Sequence, residues 1–346
     1  MARISLRKTV RLKLFSLLHR TGASVCLLLA LIQQVNGAES LAPEDTKTHW
    51  VSQFFDTFTA ATDALQWSDV RVVSNWRIQQ HAQSKTYRLL DLSDHTVIEG
   101  SLRDCSTELC SNIEKGSVAP VKKEVVVVLH GLGESRGAMQ PLVSFLEESM
   151  TASILTFGYA SPQAPLASHA HSLGRVLAGL PPTTNINFVG HSMGNLVVRR
   201  WLQDAQPKII HRINRMVMLG PPNQGSDLAQ LAASNPFLRN LASGAARELV
   251  LHWDRLSREL QTPPFQFGII AGGKNDNEGY SPLLKGDDDA IVRVSETQLD
   301  GSDGFLVIPV RHSRMMYNKD VQEETLRFLL KGRFTQQSFP TSPPEK

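Results

Sequence analysis

Residues 186–202 read INFVGHSMGNLVVRRWL, and this stretch decides the fold. Three of its first four side chains are apolar, as in a strand covered on both faces, and residues 195–202 have a helical pattern. Gly-His-Ser-Met-Gly lies between them at residues 190–194 and has the form Gly-x-Ser-x-Gly. The glycines let two backbones pass closely at a sharp turn centred on Ser192. The stretch therefore predicts a strand, a strained turn and a helix.

The sequence from residue 124 onward alternates apolar runs with helical patterns. Such alternation is typical of parallel strands buried between helices. The other apolar runs occupy residues 124–129, 152–157, 215–219, 267–271 and 305–310, and the helical patterns lie near 138–149, 164–179, 193–205 and 321–331. We therefore predict one α/β domain over residues 123–332, with a mostly parallel central sheet and helices on both faces.

Three further segments flank or interrupt this domain. Residues 39–122 predict an N-terminal extension, with an amphipathic helix over 48–65 and an antiparallel hairpin over 85–100. Residues 226–262 are helical in pattern and rich in leucine, which fits either a lid over an acyl pocket or an ordinary helical cap. Residues 333–346 are rich in Pro, Ser and Gln and predict a disordered tail.

The first 38 residues have the pattern of a signal peptide. Six basic residues precede an apolar run at 25–32, and the small residues Gly37 and Ala38 follow it. We therefore expect cleavage and export, to the periplasm or beyond the cell. An uncleaved membrane anchor is the alternative, although the run is shorter than the roughly 20 residues that span a bilayer.

Export also changes the charge balance. Cleavage removes six of the 36 basic residues and none of the 33 acidic residues, which takes the net formal charge from +3 to −3. No basic patch then remains to indicate a nucleic-acid partner. Cys105 and Cys110 remain in an oxidising compartment, where a disulfide and two free thiols are both open alternatives.

Residues 129–133, Leu-His-Gly-Leu-Gly, directly follow the first buried strand of the α/β domain. With Ser192 as a nucleophile, acyl transfer would place negative charge on a carbonyl oxygen, which two preset backbone N–H groups must stabilise. One candidate is the N–H of Met193, directly after the serine. The other is the N–H of Leu132, whose flanking glycines allow a tight turn. A simple strand-ending turn is the alternative for residues 129–133.

A serine nucleophile needs a histidine base and an acid that orients it, and in a fold of this kind the chain order is Ser, acid, His. His312 follows the last buried strand and fits this order. The other ten histidines do not, and we expect most of them on the surface or in loops. Asp289, followed by a small residue and an apolar pair, is the favoured acid, and Asp276 is the alternative. We expect Asp287 and Asp288 in a solvated loop.

These motifs resemble those of the bacterial lipases and esterases of the α/β-hydrolase superfamily, particularly the group related to the GPI inositol-deacylases. The similarity covers about residues 124–332 and includes Gly-Pro-Pro-Asn-Gln-Gly-Ser at 220–226, which in that family borders the pocket. The resemblance implies an α/β-hydrolase fold with Ser192 as nucleophile, Asp289 as acid, His312 as base, and Leu132 and Met193 as the oxyanion hole. One departure is Ala290, which stands where a Gly usually follows the acid.

Together these observations predict an exported serine esterase or lipase that cleaves carboxylic esters, with lipid-like acyl groups as the expected substrates. The expected partners are a small-molecule or lipid ester and, transiently, a lipid surface, with no nucleic acid and no cofactor or metal. Two alternatives stay open. An acyltransferase would use the same triad with an alcohol or amine acceptor, and a binding protein would use the scaffold without catalysis.

Overall fold

The computed structural model describes residues 65–234 and 243–335. The predicted signal peptide and residues 336–346 of the predicted tail lie outside these ranges. So does the predicted helix over residues 48–65, apart from its last residue.

A four-stranded antiparallel sheet precedes the α/β domain. Its strands, paired in chain order, are β1 (Trp67–Val73), β2 (Trp76–His81), β3 (Tyr87–Leu90) and β4 (Thr96–Gly100). Helix α1 (Leu102–Glu114) packs on it through Cys105 and Leu109. The predicted hairpin is confirmed as β3 and β4. The sequence analysis missed β1 and β2 because the buried polar side chains of Asp69, Arg77 and Gln79 interrupt their apolar pattern.

The two cysteines of this extension do not pair. Both lie on α1, five residues apart, so the side chain of Cys105 is buried whereas that of Cys110 is exposed. Both thiols are free. The disulfide alternative is therefore wrong, because a helix turns about 100° per residue and places these two positions on different faces.

The α/β domain is built on a six-stranded, wholly parallel sheet. The strands are β5 (Glu124–Leu129), β6 (Ser153–Phe157), β7 (Asn185–His191), β8 (Ile213–Leu219), β9 (Gln266–Gly273) and β10 (Gly304–Pro309). Their order across the sheet is β10-β9-β8-β7-β5-β6. Each strand corresponds to one of the apolar runs of the sequence, so the predicted sheet is confirmed.

Helices cover both faces of this sheet. They are α2 (Gln140–Ser149), α3 (Leu166–Ala178), α4 (Met193–Asp204), α5 (Pro207–Ile210), α6 (Asp227–Ser234), α7 (Gly244–Leu251), α8 (Trp253–Ser257) and α9 (Lys319–Lys331). Val125 and Val127 of β5 pack in one apolar cluster with α3 and α4. Val126 and Val128 belong to a second cluster with α2 and α9. Alternate side chains of one strand therefore enter two separate cores, which explains its continuous apolar sequence.

The chain adds its next strands on opposite sides of β5, so β5 is the switch point of the sheet. The next strand along the chain, β6, lies on one side of β5, and the strand after that, β7, lies on the other. Connections leaving the carboxyl ends of β5 and β7 therefore diverge and open a crevice, where open α/β sheets bind their ligands. Residues 130–133 and Ser192 directly follow these two strand ends.

The insertion at residues 226–262 contains α6, α7 and α8 among its described residues. The start of α7 is bonded to the segment that follows β6, where the N–H of Ala245 donates to the Ala164 oxygen at 2.8 Å. The Glu248 carboxylate also accepts the N–H of Leu166 at 2.7 Å. The described part of the insertion therefore lies against the carboxyl edge of the sheet. Across the described ranges, no helix is both long enough and apolar enough to cross a bilayer.

The globular domain extends beyond residue 332, its predicted end. Phe334 is buried, and its ring centroid lies 4.8 Å from that of Phe328 on α9. The predicted boundary therefore needs a correction of at least two residues. The left-handed Gly332 that ends α9 turns the chain back so that Phe334 returns to the core.

A buried ion pair joins the small sheet to the large one. Arg77 and Asp69 are 1% and 0% exposed, and the Arg77 Nη1 lies 2.7 Å from the Asp69 Oδ2. The same carboxylate oxygen accepts the N–H of Gly158 at 2.7 Å, and the Arg77 Nη1 donates to the Thr156 oxygen at 3.1 Å. Thr156 and Gly158 lie at the carboxyl end of β6. The pair therefore fixes the extension against an edge strand of the α/β domain.

Candidate active site

Ser192 occupies a strained turn between β7 and α4. Its φ of 51° and ψ of −123° lie outside the regions that non-glycine residues ordinarily adopt. The N–H of Ser192 donates to the Leu219 oxygen at 2.8 Å, which ties the turn to the end of β8. Strain of this kind costs about 1–3 kcal/mol and is found chiefly at functional sites.

The two glycines of the Gly-x-Ser-x-Gly motif permit this turn. A Cβ on Gly190 would lie 2.3 Å from the Asn195 Oδ1. A Cβ on Gly194 would lie 2.7 Å from the His130 oxygen and 2.8 Å from the Leu129 oxygen. All three distances are shorter than real contacts of a Cβ, so a larger residue at Gly190 would clash with the start of α4, and one at Gly194 would push α4 away from the end of β5.

The loop that follows β5 meets the serine turn. A Cβ on Gly131 would lie only 3.1 Å from the Ser192 Cβ. The backbone oxygen of His130 accepts a hydrogen bond from the Tyr159 hydroxyl, and the two rings stack at 4.1 Å. The N–H of Gly133 donates to the Ser161 Oγ at 3.0 Å. These contacts fix the loop on both sides of Leu132.

The N–H groups of Leu132 and Met193 make no hydrogen bond to any residue in the described ranges. The Met193 N–H is the first of α4, and the first N–H groups of a helix have no partner within it. The Leu132 N–H belongs to the loop that contacts Ser192. Among the described residues, both donors predicted for an oxyanion hole are therefore without a hydrogen-bond partner.

His312 and Asp289 form a buried hydrogen-bonded pair at the carboxyl edge of the sheet. The His312 Nδ1 lies 2.6 Å from the Asp289 Oδ2, and the two residues are 7% and 0% exposed. The other carboxylate oxygen accepts the N–H groups of Ile291 and Val292 at 3.0 and 2.8 Å. The backbone N–H of His312 also donates to the backbone oxygen of Asp289 at 2.8 Å. Asp289 therefore holds the Nδ1 of the ring, so the Nε2 is the nitrogen that could exchange a proton with a serine.

The surroundings of His312 favour its protonated form. Burial alone lowers the pKa of this imidazole, but the charge and hydrogen bond of Asp289 outweigh burial, and Glu134 adds a smaller effect of the same sign. The net result is a pKa raised above the usual 6.5. A base of this kind accepts a proton readily near neutral pH.

The structure separates Asp289 from the other candidate acids. Asp276 is exposed and accepts the N–H groups of Glu278 and Gly279, which closes a local turn. The expectation of a solvated loop is wrong for Asp288, which is 0% exposed and accepts the N–H groups of Ser281 and Ala290 at 2.9 and 2.6 Å. This loop lies outside the strands of the sheet, and several of its backbone N–H groups use carboxylates as acceptors.

The stretch at residues 220–226, which the resemblance places at the border of the pocket, begins beside the acid–base pair. A Cβ on Gly220, whose φ is +50°, would lie 3.0 Å from the His312 Nδ1 and 3.2 Å from the Asp289 Oδ2. Asn223 is buried and accepts from the Arg199 Nη1 at 2.9 Å, while its amide donates to the Thr297 oxygen at 2.8 Å.

Two site residues escaped the sequence analysis, Glu134 and His191. The Glu134 Oε2 lies 3.0 Å from the His191 Nδ1 and accepts the N–H of Gly131 at 2.7 Å. His191, like His130 and His169, is buried rather than exposed or in a solvated loop. The overlooked signal is that His191 ends one buried strand of the switch point and that Glu134 closely follows the other.

The comparisons with known proteins agree with this architecture. Residues 124–257 match a family model described as the alpha/beta hydrolase fold. The crystal structure of the Bacillus licheniformis lipase BlEst2 in its propeptide form has a TM-score of 0.52 at 17% identity, over 64% of this chain and 52% of that chain. The mature form gives 0.47 at 18%, over 61% and 91%.

A third structure, phospholipase PlaB from Legionella pneumophila, has a TM-score of 0.46 at 16% identity, over 61% of this chain and 57% of that chain. This chain thus spans little more than half the length of PlaB and of the propeptide form of BlEst2. No curated protein gave a significant sequence match. The chain has the α/β-hydrolase fold, and a lipase of this fold is among its structural neighbours. The narrower resemblance to the GPI inositol-deacylases stays a prediction.

Ala290, which stands where the family pattern has a Gly, has a backbone conformation that is strained for an L residue. Its φ of +87° is a conformation that favours glycine, and an L side chain there costs about 1–2 kcal/mol. We expect Ala290→Gly to raise the free energy of unfolding by about 0.5–1 kcal/mol, since the relief of strain exceeds the added entropy of the unfolded chain. Urea unfolding measures this change.

Ala178→Gly is the matched control, because Ala178 is exposed in the helix α3. There the same substitution should lower the free energy of unfolding, by up to about 1 kcal/mol. A loss of stability in both variants would contradict the strain at Ala290.

Proposed function

We propose that this protein is an exported serine hydrolase that cleaves carboxylic esters with lipid-like acyl groups. Membership of the α/β-hydrolase fold, with lipases and esterases as structural neighbours, supports ester hydrolysis in general. The observation that carries the proposal is the fixed His312–Asp289 pair at the edge of the sheet where Ser192 occupies a strained turn. A turn that only connected a strand to a helix would explain neither the strain at Ser192 nor the buried acid–base pair at the same edge.

The proposed reaction begins with proton transfer from the Ser192 Oγ to the His312 Nε2. The serine oxygen attacks the ester carbonyl, and the N–H groups of Leu132 and Met193 stabilise the oxyanion of the tetrahedral intermediate. Collapse breaks the bond to the alkoxy oxygen, which takes the proton from His312 and leaves as the alcohol. The acyl group remains on Ser192. A water molecule activated by His312 repeats these steps and releases the acid.

Asp289 gives the base its tautomer. Because its carboxylate can only accept, the proton of neutral His312 resides on Nδ1, and the lone pair resides on Nε2. When the imidazolium forms, the buried negative charge of Asp289 stabilises it. The two backbone N–H groups on the other oxygen keep the carboxylate oriented.

The preference for acyl substrates is supported by the position of the helical insertion. The Ser226 Oγ donates to the Ile291 oxygen at 3.3 Å, so α6 begins beside the loop that holds Asp289. On α7, the side chains of Leu249, Val250 and Leu251 are half-buried. Apolar side chains that are partly exposed near the carboxyl edge of the sheet suit an acyl chain better than a charged substrate.

The proposal of export rests on the first 38 residues, which lie outside the described ranges. A signal peptide predicts that the mature chain begins near Glu39. The intact mass of the protein recovered from the medium or the periplasm measures this start. A full-length mass in the membrane fraction would instead support the anchor.

Removal of the nucleophile tests the reaction itself. Ser192→Ala should reduce the hydrolysis of p-nitrophenyl esters by at least about 10³-fold, because no group then attacks the carbonyl. The wild-type rates should rise with acyl length from acetate to octanoate. Thermal unfolding of the variant serves as the control for the fold. Undiminished turnover with an intact fold would disprove the role of Ser192, and a preference for acetate would disprove the acyl substrate.

Substitution of the two candidate acids tests the identity of the acid. Asparagine in place of the acid costs about 10⁴-fold in kcat in serine proteases, so we expect Asp289→Asn to lose about 10²–10⁴-fold. Asp276→Asn, which alters an exposed turn, should stay within about two-fold. The reverse ranking would identify Asp276 as the acid.

The pH profile gives a second readout of the same pair. The base must be neutral to accept a proton, so kcat/KM of the wild type should rise with pH through a midpoint above 6.5, the usual value of a histidine. Asp289 is the main group that raises the pKa of His312. The midpoint of the residual activity of Asp289→Asn should therefore shift to lower pH.

A further inference from the structure

Glu134 and His191 form a second acid–histidine pair that the proposed mechanism leaves unused. Glu134 lies in the loop after β5, and His191 is the last residue of β7. The His191 Nδ1 lies 3.0 Å from the Glu134 Oε2, and the His191 Nε2 lies 3.2 Å from the backbone oxygen of His312. The His191 ring is wholly buried, whereas the Glu134 side chain is 24% exposed.

Both nitrogens of the His191 ring face atoms that only accept hydrogen bonds. The partner of Nε2 is a carbonyl oxygen, and the partner of Nδ1 is a carboxylate oxygen that already accepts the N–H of Gly131 at 2.7 Å. A neutral imidazole carries one N–H and satisfies one of these acceptors. A ring protonated on both nitrogens satisfies both.

The surroundings of Glu134 favour its ionised form. Burial raises the pKa of this carboxyl, but the charge and hydrogen bond of His191, together with the Gly131 N–H, outweigh burial and lower the pKa to about 2. Glu134 is therefore a carboxylate at neutral pH, and the proton between the two side chains belongs to His191.

We propose that Glu134 and the doubly protonated His191 are positioning residues that hold the oxyanion loop, the nucleophile turn and the base in register. The inference rests on the function proposed above. Glu134 binds Gly131, the neighbour of the oxyanion donor Leu132. His191 is covalently joined to Ser192 and donates to the backbone of His312, whose ring lies 4.6 Å from its own.

This geometry links three chain segments that come from different strands. Residues 131–134 follow β5, Ser192 follows β7, and His312 follows β10. A displacement of about 1 Å between catalytic groups can cost about 10²-fold in rate. Loss of the pair should therefore lower kcat while KM changes little, because the proposed acyl contacts of the helical insertion are untouched.

The first test is a set of variants with ester hydrolysis as the readout. Glu134→Gln removes the charge at nearly constant shape and should lower kcat by about 10–100-fold, with KM within about two-fold. His191→Phe should give a similar loss. The double variant should lose no more than the worse single variant, because both changes break one unit. Glu147→Gln, an exposed carboxylate on α2, is the matched control and should match the wild type.

The second test uses the wild-type protein and needs no activity. Nitrogen-15 NMR of the histidine-labelled protein at pH 7 should show a ring with both nitrogens protonated, and its signal should be absent from His191→Phe. In Glu134→Gln that ring should lose its second proton. Thermal unfolding identifies any variant that fails to fold.

The outcomes separate the two proposals. A wild type without esterase activity would overturn the proposed function, whatever the NMR signal shows. An active wild type whose His191 ring is neutral would overturn the inference, as would an active wild type that Glu134→Gln leaves unchanged in kcat. A fall in kcat together with the doubly protonated signal would support the positioning role.

Discussion

The close passage of α4 beneath the end of β5 is the constraint on which the rest of the site depends. Gly194 lies so near the backbone oxygens of Leu129 and His130 that even a methyl group would clash. Because the helix must begin at this contact, Ser192 has to take a φ of 51° to join it to β7. The strain is confined to one residue, and the packing of β5, β7 and α4 in a common core offsets it.

Unpaired backbone N–H groups at the carboxyl edge of the sheet explain how the acidic residues are used. Loops that leave parallel strands have donors without a ladder partner, and buried donors need acceptors. Asp289, Asp288 and Glu134 each accept at least one such N–H. Two of these carboxylates also bind histidines, His312 and His191. The edge thus gathers carboxylates for structural reasons, and two of them, Asp289 and Glu134, raise the pKa of His312.

Much of the fold could be predicted from the sequence, for a simple physical reason. A strand buried on both faces needs a continuous apolar run, so the six strands of the sheet are visible one by one. The strands of the small sheet are less visible, since Asp69 and Arg77 are buried as a pair whose polarity is balanced by partners distant in sequence. A pattern of single residues does not reveal such compensation. The buried Asp288 and His191 were misjudged for the same reason.

The sequence alone was enough to predict the strand–turn–helix at Ser192, because the glycine spacing, the apolar run and the helical pattern are all local. It also placed His312 at the end of the last strand, and there the structure finds it beside Asp289. Only the tertiary structure decided which of several aspartates meets His312, since 13 residues separate Asp276 from Asp289 and both lie in the same loop region. Likewise, only the folded chain brings Glu134 into contact with His191, which lies 57 positions further along the sequence. Distances between side chains from different strands depend on strand order and register, and no local pattern of the chain encodes them.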